Sequence, residues 1–340
     1  MDQHDTIRPA PARPTIKDVA ARAGVSIKTV SRVINDEPRV SPETTKIVMD
    51  AITALGFRRN DAARTLRQGS TVTLGLVLED FSDPFSSTLT AAVEQQVHRH
   101  GYTLLAGTSA EDSDRERELI TTFCARRVSG LIVVPTAGRH QYLLPDIAAG
   151  VAVVFVDRPT DLDVDTVLSD NIGGARTGVL HLVRQGHRRI GFLGDRPDIY
   201  TAAERLAGYR DALSSAGLAV DAALIEMAPP SVSGMRDALA RMLAGPDPAT
   251  AVFTGNGPLT VAALQVFREY AERPALVGFD DFALADLVSP GITVVAQDPA
   301  ALGRTAADLL VRRLAGHAGP AQKVVLPTAL IPRGSGELRR

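Results

Sequence analysis

The pattern of hydrophobic and polar positions changes at about residue 71. Before this point, apolar residues recur every three or four positions in three short segments, which predicts three amphipathic helices. After it, apolar runs bounded by turn residues alternate with helical patterns at 87–100, 114–127, 173–185, 201–216, 258–269 and 299–315. This alternation predicts parallel sheets with helices on both faces, and two sets of runs, at about 71–165 and 171–295, predict two subdomains.

The three predicted N-terminal helices have recognisable ends. Thr15, Ser26 and Ser41 stand where N-caps are expected, since their hydroxyls can accept a hydrogen bond from the first helical turn. Gly24 and Gly56 stand where the first and third helices are expected to stop. The third helix is predicted to bury an apolar stripe made of Ile47, Val48, Ala51, Ile52 and Leu55.

The second of these helices has an apolar face and a cationic face when residues 27–35 are placed at about 100° per residue. The inner face carries Val30, Val33 and Ile34, and the outer face carries Lys28, Arg32 and Asn35. Lysine and arginine on an exposed helix face suit guanine edges or phosphates. An ordinary solvated helix has the same periodicity, so the pattern alone leaves both interpretations open.

Charge is distributed unevenly along the chain. Residues 1–70 carry a net charge of +4, while the remainder carries −6. A basic head on an acidic body favours a polyanionic partner for the head. Residues 1–14 are rich in Pro and Ala without periodicity and are expected to form a disordered tail.

Composition restricts the class of protein. A chain of 340 residues with 45% hydrophobic and 22% charged residues is long enough for two or three domains and is typical of a soluble globular protein. The sequence has no apolar run of about 18 residues and no apolar signal core near Met1, so a cytoplasmic location is expected. Cys124 is alone, which excludes an intrachain disulfide and a thiolate metal cluster, and we expect it to be a packed helical residue.

An enzyme is not indicated by the motifs of this sequence. It contains no Walker loop, no Gly-x-Ser-x-Gly elbow, no His-Glu-x-x-His and no Gly-x-Gly-x-x-Gly after the first strand. No cofactor or metal is expected. Polar groups instead follow the apolar runs in "EDFSDP", "VDRP", "GDRPD", "TGN" and "FDD", where open parallel sheets bind their ligands.

The segment "TIKDVAARAGVSIKTVSRVIND…RVSPETTKIVMDAITALGF" closely resembles the helix-turn-helix headpiece of LacI/GalR-family transcriptional repressors. The resemblance implies that Ile27, Lys28 and Arg32 reach base edges in the major groove of DNA. It implies that a second group of residues contacts the phosphate backbone, which sets register rather than specificity. This second group comprises Thr15, Ser26, Ser31, Asn35 and Arg39.

The next segment, "RRNDAARTLRQGS", resembles the hinge helix of the same family. Asn60 would cap this helix, Arg64 would face phosphate, and Leu66 matches the leucine that wedges into the minor groove at a central base step. The family often has Tyr-x-Pro-Asn where this chain has Phe57-Arg58-Arg59-Asn60. The departure loosens the start of the expected hinge and adds a cation. An interdomain linker without a DNA role is the alternative.

The body of the chain resembles the family's effector domain, which is built like a periplasmic sugar-binding protein. The resemblance is carried by "DFSDPFS", "VDRP", "SDNIGGA", "GHRRIGFLGD", "ERLAGYRDAL", "GFDDFALADLVSPGITVVAQD" and "LGRTAADLLVRRL". Arg205, Asn256 and Asp280 match the principal polar ligand contacts. Asp80, Phe81, Asp157 and Asp170 match secondary lining positions.

Two departures from the family's motifs and the absence of tryptophan affect the prediction of the ligand. Ser82-Asp83-Pro84 stands where relatives commonly have Ser-Asn-Pro, and Gly257 follows the cleft asparagine where relatives commonly have aspartate. Because the chain has no Trp, stacking on a sugar ring would fall to an aromatic residue among Phe81, Phe85, Phe155, Tyr200 and Phe282. A sugar or related polyol is favoured, and a nucleobase or nucleoside stays open.

The sequence thus predicts an all-α helix-turn-helix headpiece (15–59) with a hinge helix and linker (60–70), followed by an α/β periplasmic-binding-protein-like core (71–340). Within the core, one parallel-sheet subdomain is expected at about 71–168 and 298–326, the other at about 169–297 and 327–335. The predicted function is a homodimeric repressor of near-palindromic operator DNA, controlled by a small molecule in the cleft. A purine-type corepressor is the alternative effector, and a solute-binding protein is the alternative class.

Overall fold

The computed structural model describes residues 16–34, 40–55 and 73–338. By its contacts the chain forms two compact units, Met1–Ser70 and Thr71–Arg340.

The described part of the N-terminal unit consists of three helices, α1 (Ile16–Ala23), α2 (Ile27–Ile34) and α3 (Pro42–Leu55). Gly24 turns the chain between α1 and α2 with a φ of +65°, a conformation that glycine adopts without strain. The core of this unit is made of Val19, Ala20, Val30, Val48 and Ala51. Burial of Val30, with Val33 partly buried beside it, confirms that this side of α2 faces inward.

One position of the predicted α3 stripe is wrong. Ile47 is 47% exposed, whereas Val48 and Ala51 are buried and Ile52 and Leu55 pack against them. Residues 48, 51, 52 and 55 follow the spacing of one helix face, and Ile47 lies about 100° away from Val48 at the edge of that face.

The second unit contains a first sheet of six parallel strands. In chain order these are β1 (Thr73–Leu78), β2 (Thr103–Thr108), β3 (Gly130–Val133), β4 (Ala152–Val156), β5 (Asp165–Ser169) and, much later, β11 (Lys323–Leu326). Their spatial order is β11-β5-β4-β3-β1-β2. Its helices are α4 (Pro84–Arg99), α5 (Ser113–Ala125), the short α6 (Leu144–Ala148) and α11 (Pro299–Leu314). Helices α4 and α11 bury one face, where Leu89, Val93, Leu302 and Leu310 meet Leu76 and Val154.

A second sheet of six strands follows. It contains β6 (Ile190–Gly194), β7 (Ile225–Met227), β8 (Ala251–Thr254), β9 (Ala275–Phe279), β10 (Thr293–Ala296) and β12 (Ala329–Ile331). Their spatial order is β12-β10-β9-β8-β6-β7, and β12 alone runs antiparallel to its neighbour. Its helices are α7 (Asn171–Arg184), α8 (Tyr200–Ser215), α9 (Val232–Leu243) and α10 (Gly257–Phe267). The first two cover one face and the last two cover the other.

The chain passes between the two sheets three times, after β5, after β10 and between β11 and β12. Short 3₁₀ helices occur at Gln141–Leu143, Ala222–Leu224 and Ser335–Glu337. The seven apolar runs predicted as strands all form strands, but the strands β5, β7, β10, β11 and β12 and the helices α6 and α9 were not predicted. Strands β7, β11 and β12 are short and half exposed, so they lack a continuous apolar run.

Within the described residues, no helix is long and apolar enough to cross a membrane.

Candidate functional site

The first candidate surface is the outer face of α2. The Ser26 hydroxyl accepts a hydrogen bond from the Thr29 amide at 3.1 Å, which caps the helix as the sequence predicts. Ile27 is 46% exposed and Lys28 is exposed beside it. Arg32, one helical turn further, is half exposed, and so is Ser31. The structure therefore places Lys28 and Arg32 on the side of α2 away from buried Val30, with Ile27 exposed at the border of that side.

Several residues with a predicted DNA role lie outside the described residues. They are Thr15, Asn35, Arg39, Asn60, Arg64 and Leu66. The expected tail at 1–14 and the hinge at 60–70 also lie outside.

The second candidate site is a cavity of about 540 Å³ beyond the carboxyl ends of strands from both sheets. The polar residues that line it directly follow β1, β4, β6, β8, β9 and β10, which is where parallel sheets place ligands. An adjoining cavity of about 870 Å³ lies between the N-terminal turns of α4, α10 and α11. The two cavities share Asp80, Asp83, Phe85, Pro230, Pro258, Asp280 and Gln297.

Arg205 of α8 lies on the wall of the smaller cavity, that of about 540 Å³, and is only 4% exposed. Its Nε donates to Asn171 Oδ1 at 2.8 Å, and its Nη1 donates to the Gly255 carbonyl at 2.7 Å. The guanidinium also lies 3.8 Å above the ring centre of Phe279, a cation–π contact. These contacts fix a charged, planar donor group at the cavity wall.

Asp280 lies opposite, where β9 ends. Its Oδ2 lies 3.5 Å from Arg205 Nη1, and its Oδ1 accepts a hydrogen bond from Gln297 Nε2 at 2.7 Å. Gln297 in turn accepts from the Ser169 hydroxyl at 2.6 Å, which joins β5 of the first sheet to the end of β10 in the second. Asp280 has a φ of +73°, a left-handed conformation that aspartate tolerates better than most residues. Gln297 was not predicted, although it is the first polar residue after the apolar run of β10.

Asn256 caps α10 and lines the same cavity. Its Oδ1 accepts from the Leu259 amide at 2.9 Å, and its Nδ2 donates to Asp195 Oδ2 at 3.0 Å. Burial raises the pKa of Asp195 above its ordinary value, partly offset by hydrogen bonds from Arg196 and Asn256. Asp195 was missed from sequence even though it directly follows β6.

Asp157 lies at the end of β4 with a φ of +69° and is 5% exposed. Its Oδ2 lies 3.6 Å from Arg158 Nε, while Oδ1 accepts no hydrogen bond from the described residues. Arg158 Nη2 donates to Glu79 and Glu111 at 2.6 Å each. Burial and the neighbouring carboxylates raise the pKa of Glu79 to about 8, against the opposing effect of Arg158. Arg158 and its two glutamates are a further part of the cavity wall that was not predicted.

The other predicted effector residues divide into two groups. Asp80 and Phe85 line both cavities, and Asp80 is held by hydrogen bonds from the amide and hydroxyl of Ser82. Phe81 is 47% exposed, and Asp170 caps α7 through the Gly173 amide; neither lines these cavities. The neighbour of Asp170, buried Asn171, is the residue that meets Arg205.

Three of the five aromatic candidates for stacking, Phe81, Phe155 and Tyr200, line neither cavity. Phe155 is fully buried in β4 and cannot reach a ligand, because its ring packs in the core of the first sheet. Phe282 lines the larger cavity. In the described part of the chain, no three His, Cys, Asp or Glu side chains are arranged to hold a metal ion.

Comparison with known proteins agrees with this architecture. Residues 15–60 match the family of bacterial regulatory proteins of the lacI type, and residues 179–336 match a periplasmic binding protein-like domain. The HTH-type transcriptional regulator CelR of Thermobifida fusca is 36% identical over 342 residues, which covers 95% of this chain and 98% of that protein. The regulator GalR of Escherichia coli is 34% identical over 308 residues, with 87% and 88% covered.

A solved structure supports the same assignment. The Lac repressor dimer bound to operator and the anti-inducer ONPF has a TM-score of 0.80 at 26% identity, covering 96% of this chain and 99% of that one. The relatives are transcriptional regulators and not enzymes, which confirms the predicted class. The chain belongs to the LacI family of bacterial regulatory proteins and is a DNA-binding transcriptional regulator.

Proposed function

We propose that this regulator is a homodimeric repressor whose affinity for operator DNA is controlled by a sugar in the cavity around Arg205. The proposed organisation is a headpiece at 15–59, a hinge at 60–70 and an effector-binding core at 71–340. The main support for the proposal is the cavity, because it holds a fixed guanidinium opposite carboxylates at the ends of strands from both sheets. Since its partner is DNA, the protein is proposed to act in the cytoplasm.

Sequence readout is assigned to α2. Its exposed face combines the apolar contact of Ile27 with the cations Lys28 and Arg32, and arginine and lysine pair well with guanine in the major groove. Leu66 is proposed as the minor-groove wedge. The proposed phosphate contacts are Thr15, Ser26, Ser31, Asn35, Arg39, Asn60 and Arg64.

A sugar fits the effector cavity better than a nucleobase. Arg205 donates in a fixed plane, and Asp80, Asn256 and Asp280 offer oxygen acceptors for hydroxyls. Phe85 is the single aromatic residue among the described lining residues of the smaller cavity, which leaves a nucleobase with one stacking partner. A relative, CelR, has been solved in complex with cellobiose; that structure is 34% identical, with a TM-score of 0.70, and covers 95% of this chain.

The dimer surface is assigned to the loop that follows β9. Leu284, Leu287 and Val288 are 60%, 74% and 40% exposed, so three large aliphatic side chains face solvent within five residues. Arg333 holds this loop through two hydrogen bonds to Asp281, both 2.7 Å. A fixed, exposed apolar surface of this kind is typical of a protein interface.

Coupling between effector and DNA is assigned to the junction of the two sheets. The hydrogen-bonded series Ser169, Gln297 and Asp280 joins them at the cavity, so a ligand there can favour one relative orientation of the sheets over another. Operator affinity then changes by the ratio of the ligand's affinities for the two states.

DNA readout is tested by selecting an operator from random duplexes and measuring base preference by fluorescence anisotropy. Lys28→Ala and Arg32→Ala should each relax preference at defined half-site positions, by about 1–3 kcal/mol. Lys46→Ala, which removes an exposed cation from α3, is the control and should leave base preference unchanged. Uniform weakening on every sequence would show that Lys28 and Arg32 contact phosphate alone.

Effector control is tested by measuring operator affinity with and without a panel of sugars and nucleosides. We expect a sugar to change the affinity, and we expect Arg205→Lys to remove the effect, because an ammonium cannot reproduce the planar donor pattern. A response to nucleosides alone would overturn the sugar assignment.

A further inference from the structure

The structure points to an effector that carries a positive charge, and we propose that it is an amino sugar whose ammonium group is held near Asp157 and Asp83. This inference rests on the proposed role of the cavity as the effector site. It goes further in naming the chemical class of the ligand.

The smaller cavity is strongly acidic. Its described lining includes seven carboxylates, Glu79, Asp80, Asp83, Glu111, Asp157, Asp195 and Asp280. It includes three guanidinium groups, Arg158, Arg196 and Arg205. The wall therefore carries four more acidic than basic groups.

The three arginines are already committed to partners in the protein. Arg158 is shared between Glu79 and Glu111, and its other amino group also donates to the Pro135 carbonyl. Arg205 donates to Asn171 and Gly255. Arg196 forms two hydrogen bonds with Asp198 at the exposed rim.

Asp157 is left with a buried oxygen that has no donor. Its side chain is less than one-tenth exposed, and Oδ1 accepts no hydrogen bond from the described residues. The guanidinium nitrogen Arg158 Nε is 3.6 Å from the other oxygen, too far for a hydrogen bond. A buried carboxylate without a donor is costly, and a positive charge in the adjoining cavity would stabilise it.

Asp83 adds a second carboxylate facing the same space. Its Oδ1 accepts a hydrogen bond from the Phe85 amide at 3.1 Å, as the N-cap of α4. Burial together with the charges of Asp280, Asp157 and Asp80 raises the pKa of Asp83 to about 6. Mutual repulsion among these carboxylates is relieved by a cation between them but not by a neutral hydroxyl.

An organic ammonium fits this site better than a metal ion. No three His, Cys, Asp or Glu side chains of the described residues are arranged to hold a metal ion, which favours a positive charge carried on an organic molecule. Arg205 uses Nε and Nη1 for Asn171 and Gly255, so its Nη2, together with the acceptors Asn256 and Asp80, suits the hydroxyls of the same molecule. An amino sugar combines both requirements.

The test is isothermal titration calorimetry of the full chain at neutral pH, where the amines of the probes are largely protonated and Asp83, with a pKa of about 6, is ionised. The probes are glucosamine, galactosamine, mannosamine and deacetylated chitobiose, each beside its neutral parent sugar and its N-acetyl derivative. We expect an amino sugar to bind on the order of tenfold more tightly than its neutral counterparts.

Two isosteric variants locate the charge. Asp157→Asn and Asp83→Asn should each lower the ratio of the affinity for the amine to the affinity for its neutral parent sugar. Asparagine tolerates the left-handed backbone at residue 157 and caps helices as aspartate does, so both variants are expected to fold. Asp112→Asn, at the N-cap of α5 and outside both cavities, is the matched control and should keep the preference.

The outcomes separate this inference from the proposed function. Equal or tighter binding of a neutral sugar would overturn the charge assignment and leave a sugar-controlled regulator. Retention of the amine preference in both asparagine variants would place the charge elsewhere and overturn it too. Binding of no sugar of either kind would overturn the sugar effector itself, and the amine with it.

Discussion

Arg205 shows how a single buried cation is stabilised in this fold. A guanidinium removed from water requires partners for its N–H groups, and Asn171, the Gly255 carbonyl and Asp280 supply them from three different elements. The ring of Phe279 covers one face of the group. Because these partners come from α7 and from the ends of β8 and β9, a movement of any of those elements would change the contacts of Arg205.

Glu79 is a second single residue with an effect on the whole chain, because it makes the stability of the fold depend on pH. Its pKa is raised to about 8 by burial, so between its ordinary value and about pH 8 the folded chain binds a proton that the unfolded chain releases. Stability should therefore fall as pH rises through this window. Asp83, whose pKa is raised to about 6, and Asp157 and Asp195, whose pKa values are also raised, act in the same direction.

We predict that Glu79→Gln flattens this dependence. The amide has no charge to bury and can still lie beside Glu111 and Arg158, so the variant should match the wild type at about pH 5 and exceed it at about pH 9. Thermal unfolding followed by circular dichroism across pH measures the effect. Glu94→Gln, at an exposed position on α4, should keep the wild-type profile. Parallel curves for wild type and Glu79→Gln would contradict the prediction.

The cavity wall also shows which residues a sequence can reveal. Arg205, Asn256, Asp280, Asp80, Asp157 and Phe85 were predicted and lie on the wall. Asn171 and Gln297 act through partners far away in sequence, at residues 205, 169 and 280, which only the tertiary structure brings together. At the start of α7 the prediction was displaced by one residue, because exposed Asp170 caps the helix while Asn171 points inward.

At the scale of elements, Ser26 is predicted to have two roles in α2, as the cap of the helix and as a contact to DNA. Its hydroxyl caps the helix through the Thr29 amide and lies 2.9 Å from the Thr29 hydroxyl. Loss of such a cap costs about 1 kcal/mol. Aspartate caps equally well, but its charge would repel a phosphate.

We predict that Ser26→Ala lowers hydrogen-exchange protection of the α2 amides, whereas Ser26→Asp retains it. Both variants should bind operator DNA more weakly, and Ser26→Asp should show the larger loss at low salt because phosphate repulsion is strongest there. Hydrogen exchange and anisotropy titrations on the same samples give the two readouts. If Ser26→Asp binds DNA like the wild type, Ser26 acts as a cap alone.

Packing of α7 on α8 depends on a small residue at Gly208. A Cβ at this position would lie 2.3 Å from the Ile172 carbonyl oxygen and 2.9 Å from the Ala175 Cβ. The first contact is with backbone, so the two helices would have to separate. Because Arg205 lies one turn earlier on α8 and Asn171 starts α7, separation would also disturb their hydrogen bond.

We therefore predict that Gly208→Ala destabilises the chain by about 1–3 kcal/mol, although alanine is the better helix former by about 1 kcal/mol. Urea unfolding measures the change. Ala207→Ser adds an atom at the neighbouring exposed position and should stay within about 0.5 kcal/mol of the wild type. A Gly208→Ala variant as stable as the wild type would show that the helices have room to adjust.

Strands with long apolar runs were predictable, whereas edge elements and the short buried strands β5 and β10 were not. Strands such as β4 and β9 are buried almost throughout and read as continuous apolar runs. Strand β11 alternates between exposed and half-buried positions over four residues, which is too short to establish a pattern. Helix α9 buries Met235, Ala238, Leu239 and Met242, a helical spacing that is present in the sequence and was overlooked.

At the scale of the whole molecule, the two sheets and the partner subunit must act together for a ligand to affect DNA. The sheets are joined by three passages of the chain, which allow them to reorient. The hydrogen bonds of Gln297 to Ser169 and Asp280 depend on the relative position of the two sheets. A near-palindromic operator requires two headpieces, so operator affinity depends on the dimer as well as on α2. This requirement makes the dimer surface testable through DNA binding.

We predict that Leu287→Asp weakens the dimer without unfolding the chain. Leu287 is 74% exposed, so the monomer loses little burial, whereas a carboxylate at an apolar interface opposes its twin across the two-fold axis. Sedimentation velocity should show dissociation at concentrations where the wild type is dimeric. Affinity for a full operator should fall toward that for a single half-site, with half-site binding unchanged. Val220→Asp, at an exposed valine elsewhere on the core, should sediment as a dimer, and a Leu287→Asp variant that does the same would place the interface on another surface.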